Sequence, residues 1–377
     1  MTGQIPDEAG AAPYRNWNEK IHAECYRPNA ELGNFEKISF NMGPTLLEWM
    51  ADFDPQTYRR ILDQDGANVR RHAAGNAMAQ AYNHTILPLA TRQDKITQVK
   101  WGIADFEFRF QRRPKGMWLP ETAVDLETLE VLAENDIAFT ILAPWQAAVD
   151  RVDPTQPYQV DLPSGRSIVV FFYDQDVSTR VSFDPGATTN ADQFLLNYIL
   201  PKYAPETQAD ARSQLVVVAS DGELYGHHQP FRDKFLARLM DGALEGKDLQ
   251  PTFPELWLKE NPVKSRMQIR ENTSWSCHHG VMRWRGECGC TPGSAWKAPF
   301  RQALNQIAGL IDSGFTQAVR PYIPDPWALR NAYIQVILGN QTSRDLIRGM
   351  AKTQPDEDGL RRIELLLEGQ YQRQRMF

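Results

Sequence analysis

Residues 116–142, "GMWLPETAVDLETLEVLAENDIAFTIL", constrain the fold more than any other stretch. They read as a strand at 116–119, a helix at 123–135 with Leu126, Leu129 and Leu132 facing inward, and a second strand at 137–142. Strand, helix and strand in that order make a βαβ unit, which implies parallel strands. Pro120 ends the first strand, because proline cannot donate to a ladder and biases Leu119 toward an extended backbone. Glu121 is therefore placed at the C-terminal end of a strand, beside Trp118. Its plain alternative is to complement the dipole of the following helix.

The alternation continues on both sides. Residues 35–65 carry two helical patterns: "GPTLLEWMADF" with Leu46, Leu47 and Met50, then "DPQTYRRIL" with Asp54 as cap and Pro55 at the first helical position. A Gly/Ala-rich stretch (73–81), "HTILPLA" and a helix around "RQDKITQVKWGIADFEFRF" precede the βαβ unit. After it, "YQVDLPSGRSIVVFFY" (158–173) predicts a hairpin turning at Pro-Ser-Gly. The helix "ADQFLLNYILPKY", an apolar strand "QLVVVAS" (214–220) and a helix at 229–240 follow. This pattern suits a distorted (β/α) barrel. Beyond "FPELWLKENP" the sequence becomes irregular and rich in Trp and Cys, and helices are expected at 298–312, 325–338 and 357–375. The division predicted is a barrel over 1–250 and a mostly helical region over 251–377, with a soft boundary near 245–260.

Composition narrows the function. A net charge of −6 gives no electrostatic footprint for nucleic acid or an anionic membrane. "SIVVFFY" and "QLVVVAS" are too short to span a bilayer, and "MTGQIPDEAGAAPYRNW" has neither the basic nor the apolar region of an export signal. Four cysteines in 377 residues do not make a disulfide scaffold, so a reducing cytoplasm is expected. Ten tryptophans favour stacking surfaces, for example against sugar rings.

A second acidic cluster, "VVVASDGELYGHHQP" (216–230), runs from an apolar strand into Asp221, Gly222 and Glu223, with His227 and His228 close behind. In parallel α/β folds the C-terminal strand ends carry the active site. The plain alternative is that Asp221 caps the next helix. Glu121 and Asp221 are thus two carboxylates at two strand ends, each with an aromatic nearby (Trp118, Tyr225). Glycosidic bond cleavage needs one acid to protonate the leaving oxygen and one to attack or to activate water.

"GMWLPETAVD" and "SDGELYGHH" resemble the two catalytic signatures of glycoside hydrolase family 57, the amylase and α-glucan branching-enzyme group. The resemblance implies a (β/α)7 barrel followed by a helical region, with Glu121 as nucleophile and Asp221 as general acid/base. "YNHTILPLATRQDKITQVKWG" resembles the family's His-containing segment, which makes His84 a substrate-binding candidate. "ENTSWSCHHGVMRWRGECGC" and "DPWALRNAYIQVIL" resemble a less characterised branch with an extra C-terminal domain of unknown function. The family's first barrel strand carries a His-x-His or His-Gln-Pro-type motif, and none precedes "AAPYRNWNEK"; members of this branch also run beyond "YQRQRMF". The expectation is a chain truncated at both ends, with a barrel lacking its first strand and so exposing a sheet edge. The reaction implied is a retaining double displacement on an oligo- or polysaccharide, by hydrolysis or by transfer to a sugar hydroxyl, and it requires no cofactor. It predicts a raised Asp221 pKa and carboxyl groups about 5–5.5 Å apart.

Trp118, Glu223, His227, Trp275, Arg283 and Trp284 complete the substrate-binding candidates, the last three on a loop expected near the cleft. Glu24 and Tyr26 are placed on a loop near the site, or simply on the surface. A metal-dependent polysaccharide deacetylase is the rival enzyme class. His227–His228 and His278–His279 are adjacent pairs, which do not share a face in regular structure, so no metal ligand is assigned. Cys277, Cys288, Cys290 and a His offer structural zinc ligands, although their spacing is unlike paired Cys-x-x-Cys. A carbohydrate-binding remnant without turnover is the non-enzymatic alternative.

Overall fold

The structure is a computed structural model and describes residues 6–203 and 213–375. Its strands are short. β1 (Ala79–Gln80) and β2 (Met117–Trp118) pair in parallel, with Ala79 opposite Met117 and Gln80 opposite Trp118. β3 (Phe139–Leu142), β4 (Tyr158–Asp161), β5 (Ser167–Phe172) and β6 (Ser265–Arg266) form a sheet of order β3-β5-β4-β6. β3 and β5 are parallel, while β4 and β5 form the predicted antiparallel hairpin. Single parallel bridges, Phe40 to Ala77 and Gly116 to Phe139, extend the parallel pairing across both sheets. Beyond β5, the Asp174 N–H donates to the Val217 carbonyl at 2.8 Å. Neighbours in space therefore follow chain order from residue 40 to 217, apart from the hairpin strand β4.

The predicted strand at 214–220 is not a regular strand: Leu215 donates to the Thr155 carbonyl (2.8 Å), Val217 accepts from Asp174, and Ala219 donates to the Ser178 hydroxyl (3.1 Å). Bonds to three separate segments hold it in place without a ladder.

The first helices are α1 (Pro44–Phe53) and α2 (Pro55–His72). Asp54 caps α2 as expected, accepting from the N–H groups of Gln56 and Thr57. α3 (Arg92–Phe110) lies against β1 so closely that a Cβ at Gly102 would stand 1.9 Å from the Gln80 carbonyl oxygen. Only glycine allows that approach. α4 (Leu126–Glu134) starts later than its apolar pattern predicts, because residues 120–122 form a separate 3-10 turn. Asp125 caps α4, accepting from the Thr128 N–H at 2.7 Å, so Glu121 is not needed at that helix end. α5 (Gln175–Phe183), α6 (Arg232–Asp241) and α7 (Pro254–Glu260) complete the first region.

Four further helices are α8 (Lys297–Val319), α9 (Pro326–Ala332), α10 (Ser343–Met350) and α11 (Glu357–Gln374). The helix expected at 325–338 divides into α9 and the short Ile334–Ile337 turn.

One core surrounds the strands, with Met117, Leu119, Leu129, Leu132, Leu142 and Phe172 at its centre. A second joins α3 to the C-terminal helices through Trp101, Phe315, Leu329, Ile347, Leu360 and Leu367. Asp94 on α3 pins that junction. It accepts from Arg330 (3.0 Å), Arg373 (2.5 and 3.1 Å) and Gln374 (2.9 Å), all buried. Among the described residues, no helix is long and apolar enough to cross a membrane.

Candidate active site

The turn after β2 holds the first acid in an unusual backbone. Glu121 has φ 58° and ψ 19°, and Thr122 follows at φ 49°. Two successive left-handed residues with side chains, one of them β-branched, cost on the order of 1–3 kcal/mol each and persist only where the surroundings fix them. Fully buried Gln146 does much of that fixing. Its amide donates to the Thr122 carbonyl (2.8 Å) and to the Thr273 hydroxyl (3.1 Å), and its oxygen accepts from the Thr122 hydroxyl (2.9 Å) and the Ala143 N–H (2.8 Å). Glu121 is thereby turned toward the 274–276 segment. Its Oε2 accepts from the Trp275 indole (3.0 Å) and the Ser276 hydroxyl (2.7 Å), while the Trp275 backbone N–H donates to the Glu121 carbonyl (3.0 Å). Trp118 meets Trp275 edge to face, ring centroids 5.2 Å apart.

The second acid sits on a tight turn, Gly222–Leu224, preceded by Asp221. Asp221 makes no side-chain capping bond there, so its carboxyl is not used as a helix cap. Burial, followed by the negative charges of Glu223 and Glu121, pushes the Asp221 carboxyl above the usual range, against the opposing pull of His228 and His84. Glu223 is held by the Tyr26 hydroxyl, and its charge adds to burial in pushing the Tyr26 phenol well up. Burial and Glu223 together push the neighbouring Cys25 thiol to about 12, which keeps it protonated as a donor to the Gly222 carbonyl. Close packing fixes this turn: Gly226 lies at φ +142°, and a Cβ there would come within 2.1 Å of the Glu24 carbonyl.

Glu24 and Tyr26 lie on a helical turn, His22–Tyr26, rather than on the loop the sequence suggests, and Tyr26 is buried. Glu24 accepts or shares a proton with His227 Nδ1 at 2.5 Å.

These groups face a cavity of about 610 Å³. Tyr26, His84, Trp118, Asp221, Glu223 and Trp275 are among its lining residues, and Glu121 is bonded to Trp275. His84, which lines the cavity, is left-handed too, at φ 56°. Leu215, Val217, Phe235 and Leu239 add apolar lining, the first two packed in one cluster with Trp118 and Trp275.

Glycosyl hydrolase family 57 matches residues 8–268, more than half of the chain. The chain belongs to glycosyl hydrolase family 57. A domain of unknown function, DUF3536, matches residues 293–377. No curated protein matches the chain. Among solved structures, it is similar to an exo-type maltose-forming amylase from Pyrococcus sp. ST04, with TM-score 0.77 and 17% identity over 96% of this chain and 66% of the amylase. It is also similar to a family 57 branching enzyme from Pyrococcus horikoshii (TM-score 0.61, 17% identity, 99% of this chain and 93% of the other). A 4-alpha-glucanotransferase from Thermococcus litoralis aligns with TM-score 0.55 and 19% identity over 68% of this chain, and only 40% of its own length is covered. The chain thus spans 66% of the amylase's length and 40% of the glucanotransferase's.

Within this family 57 fold, three predicted substrate-binding residues lie outside the cavity lining. His227 turns to Glu24. Arg283 donates to the Ser276 carbonyl at 3.1 Å, and so braces the segment that holds Glu121 in place of reaching toward a sugar. Trp284 shares the short Met282–Arg285 helix with Arg283 and likewise does not line the cavity. Ser276 and Gln146 enter the site unannounced by the sequence, because each acts through a contact between residues far apart in the chain.

The sequence offers Cys277, Cys288, Cys290 and a His as structural zinc ligands, and the fold brings Cys277, His279, Cys288 and Cys290 together, with their ligand atoms within 4.8 Å of one another. Among the described residues this is the one such group, and the acids and histidines of the cavity do not form another. A deacetylase-like ligand set in the cavity therefore has no geometric support.

Proposed function

We propose that this chain is a retaining glycoside hydrolase or transglycosylase acting on α-glucans, with Glu121 as nucleophile and Asp221 as general acid/base. The observation that carries the reading is the contrast between the two acids. Glu121 accepts hydrogen bonds from Trp275 and Ser276 on one oxygen, which hold its carboxyl group in a fixed direction. Asp221 is pushed toward its protonated form by burial and by its acidic neighbours. One carboxyl held in place and a second pushed toward its protonated form are what a nucleophile and an acid require.

In the first step a Glu121 oxygen bonds to the anomeric carbon as the glycosidic C–O bond breaks, and the Asp221 proton passes to the leaving oxygen. In the second, Asp221 as carboxylate takes a proton from water or a sugar hydroxyl, whose oxygen displaces Glu121. Trp118 and Trp275 supply aromatic surface beside the reacting carbon, and His84, Glu223 and Tyr26 supply polar contacts or orient them. The run of parallel pairings, together with family membership, supports a distorted (β/α)7 barrel for the first region. We place its boundary with the helical region near residue 250.

Purified chain incubated with maltooligosaccharides and glycogen, beside Glu121→Gln, tests this. Products from the parent and none from the variant support it. Equal behaviour of the two overturns catalysis by Glu121 and leaves a carbohydrate-binding role.

A further inference from the structure

Residues 277–291 form two tight turns, each bringing up a pair of ligand-bearing side chains. In the first, the Gly280 N–H donates to the Cys277 carbonyl (3.0 Å), with Gly280 at φ +72°. A side chain on Gly280 would strike the Asn272 carbonyl, its Cβ only 2.1 Å away, so the turn needs glycine. In the second, the Thr291 N–H donates to the Cys288 carbonyl (2.9 Å), and the same two residues form an antiparallel bridge. The pairs are Cys277-x-His279 and Cys288-x-Cys290.

The two turns face each other. Cys277 Sγ lies 3.8 Å from Cys288 Sγ and 4.0 Å from His279 Nδ1, and Cys290 Sγ lies 3.5 Å from the same nitrogen. A tetrahedral zinc with Zn–S of about 2.3 Å and Zn–N of about 2.0–2.1 Å has S–S edges of about 3.8 Å and S–N edges of about 3.6 Å. The 3.8 and 3.5 Å separations match those edges, and the 4.0 Å one exceeds its edge by about 0.4 Å. They are far too long for a disulfide, whose sulfurs stand about 2.05 Å apart. The Thr291 hydroxyl, 3.6 Å from Cys288 Sγ, is placed to donate to a thiolate and is itself fixed by Ser294.

We propose that Cys277, His279 through Nδ1, Cys288 and Cys290 form a structural zinc site that holds the loop carrying Trp275 and Ser276 against Glu121. Three thiolates and one imidazole make a closed four-ligand shell suited to zinc, with no open position for substrate. The loop needs such a fastening, because Met282 and Trp296 are exposed and few of its apolar side chains are buried. Cys277 directly follows Ser276, so a fixed Cys277 limits the freedom of both donors to Glu121. Metal binding stands independently of the proposed reaction; the effect on Glu121 rests on that reading.

The test uses the full chain, purified without chelator. Elemental analysis should give about one zinc per chain. Cobalt substitution should give the intense visible absorption of a tetrahedral site together with thiolate-to-cobalt charge transfer in the near ultraviolet. Cys290→Ser and His279→Ala should each lose the metal while keeping the helical circular dichroism of the parent. Limited proteolysis should cut within 276–296 after chelation, and zinc should restore protection. A chain that holds neither zinc nor cobalt after reconstitution, with its thiols equally reactive with and without zinc, overturns the site. If zinc binds but its removal leaves Glu121-dependent turnover unchanged, the positioning role is overturned and the metal site stands. If no turnover is found at all, the stoichiometry, spectra and proteolysis still decide the metal site.

Discussion

Trp275 and Ser276 donate to the same carboxylate oxygen of Glu121, so each has a separable effect on the chemistry. A hydrogen bond to a charged group contributes about 1.5–3 kcal/mol, which corresponds to roughly 10- to 100-fold in rate if it is retained in the transition state. Ser276→Ala and Trp275→Phe should lower kcat by that order, measured on a maltooligosaccharide. Trp275→Phe should also raise KM, because Trp275 lines the cavity and Ser276 does not. Glu223 acts on the other acid. Its negative charge helps raise the Asp221 pKa, so Glu223→Gln should lower that pKa. The alkaline limb of the kcat/KM profile, set by loss of the Asp221 proton, should then move to lower pH. A limb that stays in place would mean another group is the acid.

At the scale of elements, the βαβ unit and the hairpin were legible from their periodicity, and the Asp54 and Pro55 start of α2 from its capping chemistry. Boundaries shifted where a local bond competes with the pattern: Asp125 caps α4, and the 3-10 turn takes the residues before it. The apolar run at 214–220 reads as a strand because its periodicity fits one, but its partners are scattered through three segments. Both acids were legible from their motifs; their supports were not. Gln146 and Ser276 depend on contacts across the fold that no local spacing encodes, whereas the cysteines are visible in the sequence and only their partner His279 and their facing turns are not. Gln146 is the clearest case, since one buried amide holds the left-handed turn. Gln146→Ala leaves the buried Thr122 carbonyl without that donor and should cost about 1–3 kcal/mol in chemical denaturation. Its kcat should fall more than its substrate affinity, because the turn aims Glu121.

Across the whole molecule, helix α3 of the first region and the C-terminal helices are joined by Trp101 and by the Asp94 network. Burial alone would raise the Asp94 carboxyl, but its bond to Arg373 and the charges of Arg330 and Arg373 outweigh it and hold the group at about 2. Its unfolded value is about 3.9, so the stabilisation is present above pH ~4 and is lost as pH falls from ~4 toward ~2. Acid unfolding followed by circular dichroism should show that dependence, and Asp94→Asn should flatten it. Removing one partner of such a buried charge cluster costs about 3–5 kcal/mol, so the variant should also melt well below the parent at neutral pH.

The central claim is that Glu121 forms a covalent bond to the sugar. Mass spectrometry of the protein treated with a 5-fluoro maltosyl fluoride, whose ring fluorine slows the second displacement, tests it most directly. The account predicts a single glycosyl adduct on the peptide containing Glu121, absent from Glu121→Gln. An active chain that forms no adduct, or one that carries it on Asp221 or Glu223, would contradict the account.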